Sequence, residues 1–144
     1  MKSSEIIFCE NFKFSDGFQK DKYFIVLNDP QPHQNFLVAL TTSQELYAGE
    51  TKKRPSTPGC HVPDGCFFIV QKTEWFSVPT WICLDDFFEF DQQEALRLEQ
   101  GSIFKRKSCL GAPKFMALIS CVKMSNDISP DQINLLSNSV KISR

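Results

Sequence analysis

No stretch of this chain approaches the ~20 consecutive apolar residues that a membrane-spanning helix requires, which argues against a spanning segment. Net charge is nearly absent as well. With 16 Lys and Arg against 17 Asp and Glu the formal balance is -1, so nonspecific binding of duplex nucleic acid through bulk charge is excluded, although a local basic groove is not. The start, Met-Lys-Ser-Ser-Glu, places Glu5 where a secretory apolar segment would be building, so a soluble cytoplasmic protein is expected. There is no internal repeat, low-complexity tract or domain linker. No CxxC pair or second Cys/His knuckle occurs either, which weakens the case for structural zinc.

What the chain does have is phenylalanine. Fourteen Phe and 42% hydrophobic residues in 144 describe a globular chain long enough to bury a core as one domain, residues 1–144, without covalent staples. Six cysteines stand at positions 9, 60, 66, 83, 109 and 121. Cys9, Cys66, Cys83 and Cys121 fall within apolar patterns and read as buried reduced thiols. A zinc site on Cys60, His61 and Cys66 and disulfide pairing are the alternatives.

The apolar runs Lys22–Asn28 and Phe36–Ser43 are short, rich in β-branched and aromatic residues, and closed by polar ones, so they read as strands buried on both faces, at about 22–28 and 36–42. A first strand is expected over 5–14, ended by the Ser15-Asp16-Gly17 turn, and a proline loop over 29–33. Residues 44–59 form a long polar connection, and strands follow at 66–70 and 80–84, with 87–90 continuing the sheet. The last third changes character. Helices are expected at 92–100, stopped by Gly101, at 113–124, and from Ser129 as N-cap, with a short strand at 103–107. Strands first and helices last means α+β, a small and strongly curved sheet with C-terminal helices packed on it.

The polar strand ends carry the functional expectation. A cation entering one strand, Lys22 with Lys20 before it, and the hydroxyls leaving the next, Thr42 and Ser43, can meet at one rim and hold a phosphate. Lys52, Lys53 and Arg54 are either a solvated loop or a track for phosphates beside that groove, and His61 is a further candidate. His33, in the proline loop, is expected to be exposed. Trp81 belongs to the core, and Trp75-Phe76 is a candidate binding or dimer surface. Asp85-Asp86 with Glu89 and Asp91 reads as a solvated turn rather than a cation site, and Lys105-Arg106-Lys107 as an exposed strand edge.

The segment from Phe14 to Asn28 resembles the part of PemK/MazF-like toxins in which a glycine-bearing loop leads to an Arg-Pro dipeptide and an apolar strand, and Phe36–Ser43 is similar to the family's next strand, which ends in Thr or Ser. The likeness covers about the first 45 residues, and Lys22-Tyr23 stands where the family has Arg-Pro. The resemblance implies an SH3-like barrel, usually a homodimer, that cleaves single-stranded RNA without metal or cofactor and is neutralised by an antitoxin. It puts Lys22 and Thr42 in the catalytic positions; Lys20, Ser43, Lys52, Lys53, Arg54 and His61 are the candidate substrate contacts, of which Lys20, Arg54 or His61 can supply what the absent Arg-Pro leaves missing. A catalytically degenerate relative that binds RNA or a protein is the alternative.

Overall fold

The computed structural model describes residues 1–14, 16–47, 49–69, 76 and 78–142, the last six by backbone alone. Ser15, Val70 and Trp75, which the expected turn, strand and binding surface include, lie outside the described residues. The elements run β1 (Glu5–Lys13), β2 (Gln19–Val26), β3 (Phe36–Thr42), β4 (Gly59–His61), β5 (Cys66–Ile69), β6 (Thr80–Phe90), α1 (Gln92–Gln100), β7 (Phe104–Cys109), α2 (Ala112–Lys123) and α3 (Pro130–Ile142). Among the described residues every strand pairing is antiparallel, and the seven strands form one sheet in the order β4-β5-β6-β3-β2-β1-β7.

This is the α+β class that the sequence implies, but among the described residues the sheet is not closed into a barrel, since β4 and β7 each have a single neighbour there. Both edges are poor templates for further pairing: β4 is only 3 residues long, and β7 carries Lys105, Arg106 and Lys107, charges that discourage strand addition.

Alternation along the central strands sends consecutive apolar residues to opposite faces, which is why these strands read as unbroken apolar runs. On one face Ile6, Ile25, Leu37 and Ile82 pack against Phe115 and Leu118 of α2 and Leu136 of α3; on the other Ile7, Phe24, Val38 and Leu40 pack with Phe104 and with Ala95 of α1. Local signals set the helix starts. Asp91 caps α1 by accepting from the amides of Gln93 (2.8 Å) and Glu94 (3.3 Å). Ser129 and Gln132 exchange two 3.1 Å hydrogen bonds, Ser129 Oγ accepting from the Gln132 amide and Gln132 Oε1 from the Ser129 amide, a capping box at the start of α3.

Three expectations need correction. The strand at 80–84 and its continuation at 87–90 are one 11-residue strand, β6. Its pairing with β3 jumps from Ile82 opposite Thr41 to Phe87 opposite Ala39, so β6 bulges in between and the sheet bends there. Residues 44–59 are not a featureless connection but fold back on themselves through a Leu46–Lys53 bridge and hydrogen bonds from Tyr47 N to Lys52 O (3.2 Å) and Arg54 N to Glu45 O (2.7 Å). Finally, Cys121 is buried but not reduced. It forms a disulfide with Cys60, tying β4 to α2 across 61 residues of sequence. Cys60 is thereby committed to the disulfide, so the set Cys60, His61 and Cys66 lacks one of its three zinc ligands. Among the described residues no helix is long and apolar enough to cross a membrane.

Candidate functional site

The β2–β3 pair is closed at one end and open at the other. At the closed end the buried Asn28 clamps the proline loop, its Oδ1 accepting from the Leu37 amide at 2.8 Å and its Nδ2 donating to Asn35 O at 3.0 Å. At the other end the β2–β3 ladder stops at Phe24 opposite Leu40. Beyond that point β2 stays paired with β1 as far as Gln19, and β3 stays paired with β6 as far as Thr42. The two strands therefore part company, and side chains fill the role of the missing ladder: Thr41 Oγ1 donates to Tyr23 O at 3.1 Å, and Lys22 Nζ donates to Thr41 O at 3.4 Å.

The split opens into a hollow of about 320 Å³ whose walls include Lys20, Asp21, Lys22 and Tyr23 from β2, Thr41 and Thr42 from β3, and Ser43 beyond it. Four of the residues singled out from the sequence, Lys20, Lys22, Thr42 and Ser43, thus come together at one rim. Thr42 Oγ1 accepts from the Gln44 amide at 3.2 Å, which leaves its proton to donate to a ligand. Lys22 is half-buried, and its ammonium pKa is lowered, first by burial and then by the like charge of Lys20, with Cys83 opposing and the weaker charge of Arg54 adding to the fall.

The other four candidates are engaged elsewhere. Arg54 donates from Nη1 to Gln44 O (2.7 Å) and Leu46 O (2.9 Å) and lies 4.4 Å from the centre of the Tyr47 ring. It braces the folded-back loop, and it acts on the hollow only through its field at Lys22. Lys52 pairs with Asp64 at 3.3 Å and Lys53 with Glu45 at 3.7 Å. His61 Nε2 meets Thr57 O at 2.6 Å, a contact in which the ring nitrogen donates. None of these four lines the hollow, because the loop's own backbone carbonyls and acids absorb their charges.

Two aromatic expectations divide. Trp81 is buried, as its apolar strand requires, with its indole N–H donating to Pro55 O at 2.8 Å and its ring stacked on Phe68 at 4.6 Å. Phe76 is 4% exposed, packs edge-on against Tyr23 and forms part of the hollow's wall, so it is not an open surface patch. His33 is exposed, and Asp85 and Asp86 stand on the exposed bulge of β6. Sequence reasoning missed Tyr23 and Thr41, since nothing in the pattern announces that the ladder stops at Phe24.

Beside the hollow, Cys66 and Cys83 face each other across β5 and β6. Burial is the first cause that pushes each of these thiols, and Cys9, up to about 11. Because the folded state holds these protons more tightly than the unfolded chain, the stability these thiols contribute is fully present below pH 9 and falls as pH rises toward 11. Alkylation at pH 8 followed by peptide mapping is expected to label the exposed Cys109 first and to spare Cys9 and Cys66; equal labelling of all four free thiols contradicts their burial.

No family model, no curated protein and no solved structure matches this chain.

Proposed function

We propose that the hollow binds the phosphodiester backbone of single-stranded RNA and that the protein cleaves it without metal, as a PemK/MazF-like toxin or a related defence ribonuclease. One observation carries this reading: Lys20 and Lys22 line the same opening as the hydroxyls of Thr42 and Ser43, the combination that an anionic, hydrogen-bond-accepting phosphate selects. The bent sheet is then an opened counterpart of the SH3-like barrel. A homodimer, an antitoxin partner and a cytoplasmic location follow from the family resemblance alone.

The chemistry asked of the site is internal displacement at phosphorus. The ribose 2′-oxygen bonds to the adjacent phosphorus, the bond to the 5′-oxygen breaks, and the proton lost from the 2′-hydroxyl is balanced by one gained on the leaving oxygen. The Lys22 ammonium faces the charge that grows on the phosphoryl oxygens, and Thr42 supplies an O–H donor to the same oxygens. Lys20 and Ser43, both exposed at the rim, hold the flanking backbone.

A second reading, binding without cleavage, is favoured by a specific feature. The chain has two histidines, and neither lines the hollow, so the commonest general base is missing from it. Incubating the purified protein with a long unstructured RNA in EDTA separates the two. Cutting that leaves 2′,3′-cyclic phosphate and 5′-hydroxyl ends is the expected result. Intact RNA alongside measurable binding would establish the second reading instead.

A further inference from the structure

Cys66 of β5 and Cys83 of β6 stand directly opposite each other in the antiparallel ladder. One step beyond them, the Leu84 amide donates to Gly65 O at 2.8 Å. That bond belongs to the neighbouring Gly65–Leu84 position, so the two cysteines form a pair without ladder hydrogen bonds of its own, the narrow kind with about 4.5 Å between Cα atoms. Phe68 and Trp81, two residues further along the same face, are the next pair of this kind, and their rings stack at 4.6 Å. A Cα separation of about 4.5 Å lies inside the range of roughly 4.4–6.8 Å that a disulfide bridges.

Among the described residues the remaining cysteines do not face one another across a ladder. Cys9 stands opposite Lys22 and Phe104, and Cys109 opposite Glu5. Cys60, opposite Phe67, is bonded to Cys121 of α2, on the face where Phe67 packs. Cys66 packs with Phe68 and Trp81 on the other face, so the sheet itself separates the thiol pair from the existing disulfide. The two thiols also differ in access, Cys66 being 2% exposed and Cys83 partly exposed.

We propose that Cys66 and Cys83 are a redox-active dithiol, a modification site that a low-molecular-weight disulfide closes into a cross-strand bond. Cys83, the accessible member, attacks as its thiolate one sulfur of the small disulfide; that S–S bond breaks and one small thiolate leaves. The Cys66 thiolate then attacks the Cys83 sulfur and displaces the second small thiolate. The two protons given up by the cysteines end on the two small thiols, so the protein is oxidised by two electrons and the small disulfide is reduced by two. Neither step draws on what the hollow binds, and the inference stands apart from the ribonuclease reading.

The surroundings govern the rate of closure rather than its direction. Burial comes first in pushing both thiols up to about 11; Asp85 raises both and Asp64 raises Cys66, while Arg54 lowers both, Lys22 lowers Cys83 and a side-chain hydrogen bond with Tyr47 lowers Cys66. Thiolates are therefore scarce at neutral pH and closure is slow there. Each thiolate that does form is a strong nucleophile, and the reduced state gains none of the thiolate stabilisation that makes some dithiols strong oxidants. Once made, the bond joins β5 to β6 just where β6 begins to bulge away from β3. It also takes Cys83 out of reach of irreversible oxidation to sulfinic and sulfonic acids.

The test incubates native wild-type protein with 2-hydroxyethyl disulfide, a small neutral probe, between pH 7 and 9. After acid quenching, free thiols are blocked with N-ethylmaleimide in denaturant and the unreduced peptides are mapped by mass spectrometry. The expected result is a linked Cys66–Cys83 peptide pair, with the exposed Cys109 carrying the probe, and a rate of linkage that rises about tenfold per pH unit as thiolate forms. Cys66→Ala, which removes the displacing thiol, should instead accumulate the probe on Cys83. Absence of the Cys66–Cys83 link in wild type once Cys109 is fully converted overturns the proposal. So does a wild-type Cys83 that keeps the probe, a linkage rate that does not change with pH, or a link from either residue to any other cysteine.

Discussion

On the proposed ribonuclease reading, replacing Lys22 by Met, which keeps the aliphatic stem and removes the charge, is expected to slow RNA cleavage by about 10² to 10³, the usual cost of deleting one preorganised donor to a developing oxyanion. The protein should remain folded. Burial and the neighbouring charges of Lys20 and Arg54 lower the Lys22 pKa, so the ammonium is held at some cost in the native state and its removal relieves that cost. The pH dependence has a definite sign. Because the unfolded chain binds this proton more tightly, stability gains from this group as pH rises from its lowered folded value toward the ordinary 10.5. The proposed cleavage, for which Lys22 supplies the cation, is expected to fall over the same interval.

Lys22→Arg separates charge from identity. A guanidinium keeps its proton across the whole range and adds a two-pronged grip on phosphate, so this variant should keep cutting and lose the alkaline decline. The assay is the initial cleavage rate of an unstructured RNA between pH 6 and 10.5. A Lys22→Met protein that cuts at the wild-type rate would leave the hollow without its chemistry.

The second large effect concerns stability. The Cys60–Cys121 bond spans 61 residues of chain, and a cross-link closing a loop of that size is expected to contribute about 4 kcal/mol by restricting the unfolded ensemble. Against the 5–15 kcal/mol typical of a folded domain that is a large share. Cys60→Ser isolates the effect, because Cys60 is exposed while Cys121 is buried. Urea unfolding of this variant, and of wild type in dithiothreitol, should show the same loss. Coincident transitions for the oxidised and reduced protein would mean that the bond adds nothing. A reducing cytosol opens such bonds, so a location there would leave β4 held to α2 by packing alone.

Much of this architecture was legible in the amino-acid order. Phe36–Thr42 and Gln92–Gln100 have the bounds that their patterns indicate, since a two-sided apolar run and an Asp-capped, Gly-stopped amphipathic segment are local signals. β2 begins earlier than expected, at Gln19, because Gln19, Lys20 and Asp21 are exposed and so show no apolar alternation. The unity of β6 was hidden by Asp85 and Asp86, which stand on its bulge and look like a turn.

The site divided along the same line. Lys20, Lys22, Thr42 and Ser43 could be placed together because antiparallel neighbours bring the start of one strand beside the end of the next. The fate of Arg54, Lys52 and His61 depended on a loop that folds onto itself, which composition cannot show. Cysteine pairing is equally invisible, since six thiols allow many connectivities.

The pairing of β1 with β7, Glu5 opposite Cys109, has a consequence for synthesis on the ribosome. One of the two partners of β1 lies 104 residues further along the chain, so the β2 side of β1 pairs first and its other side waits until β7 has been made. Such long-range closure makes folding slow and leaves an unpaired strand open to neighbouring nascent chains in the meantime.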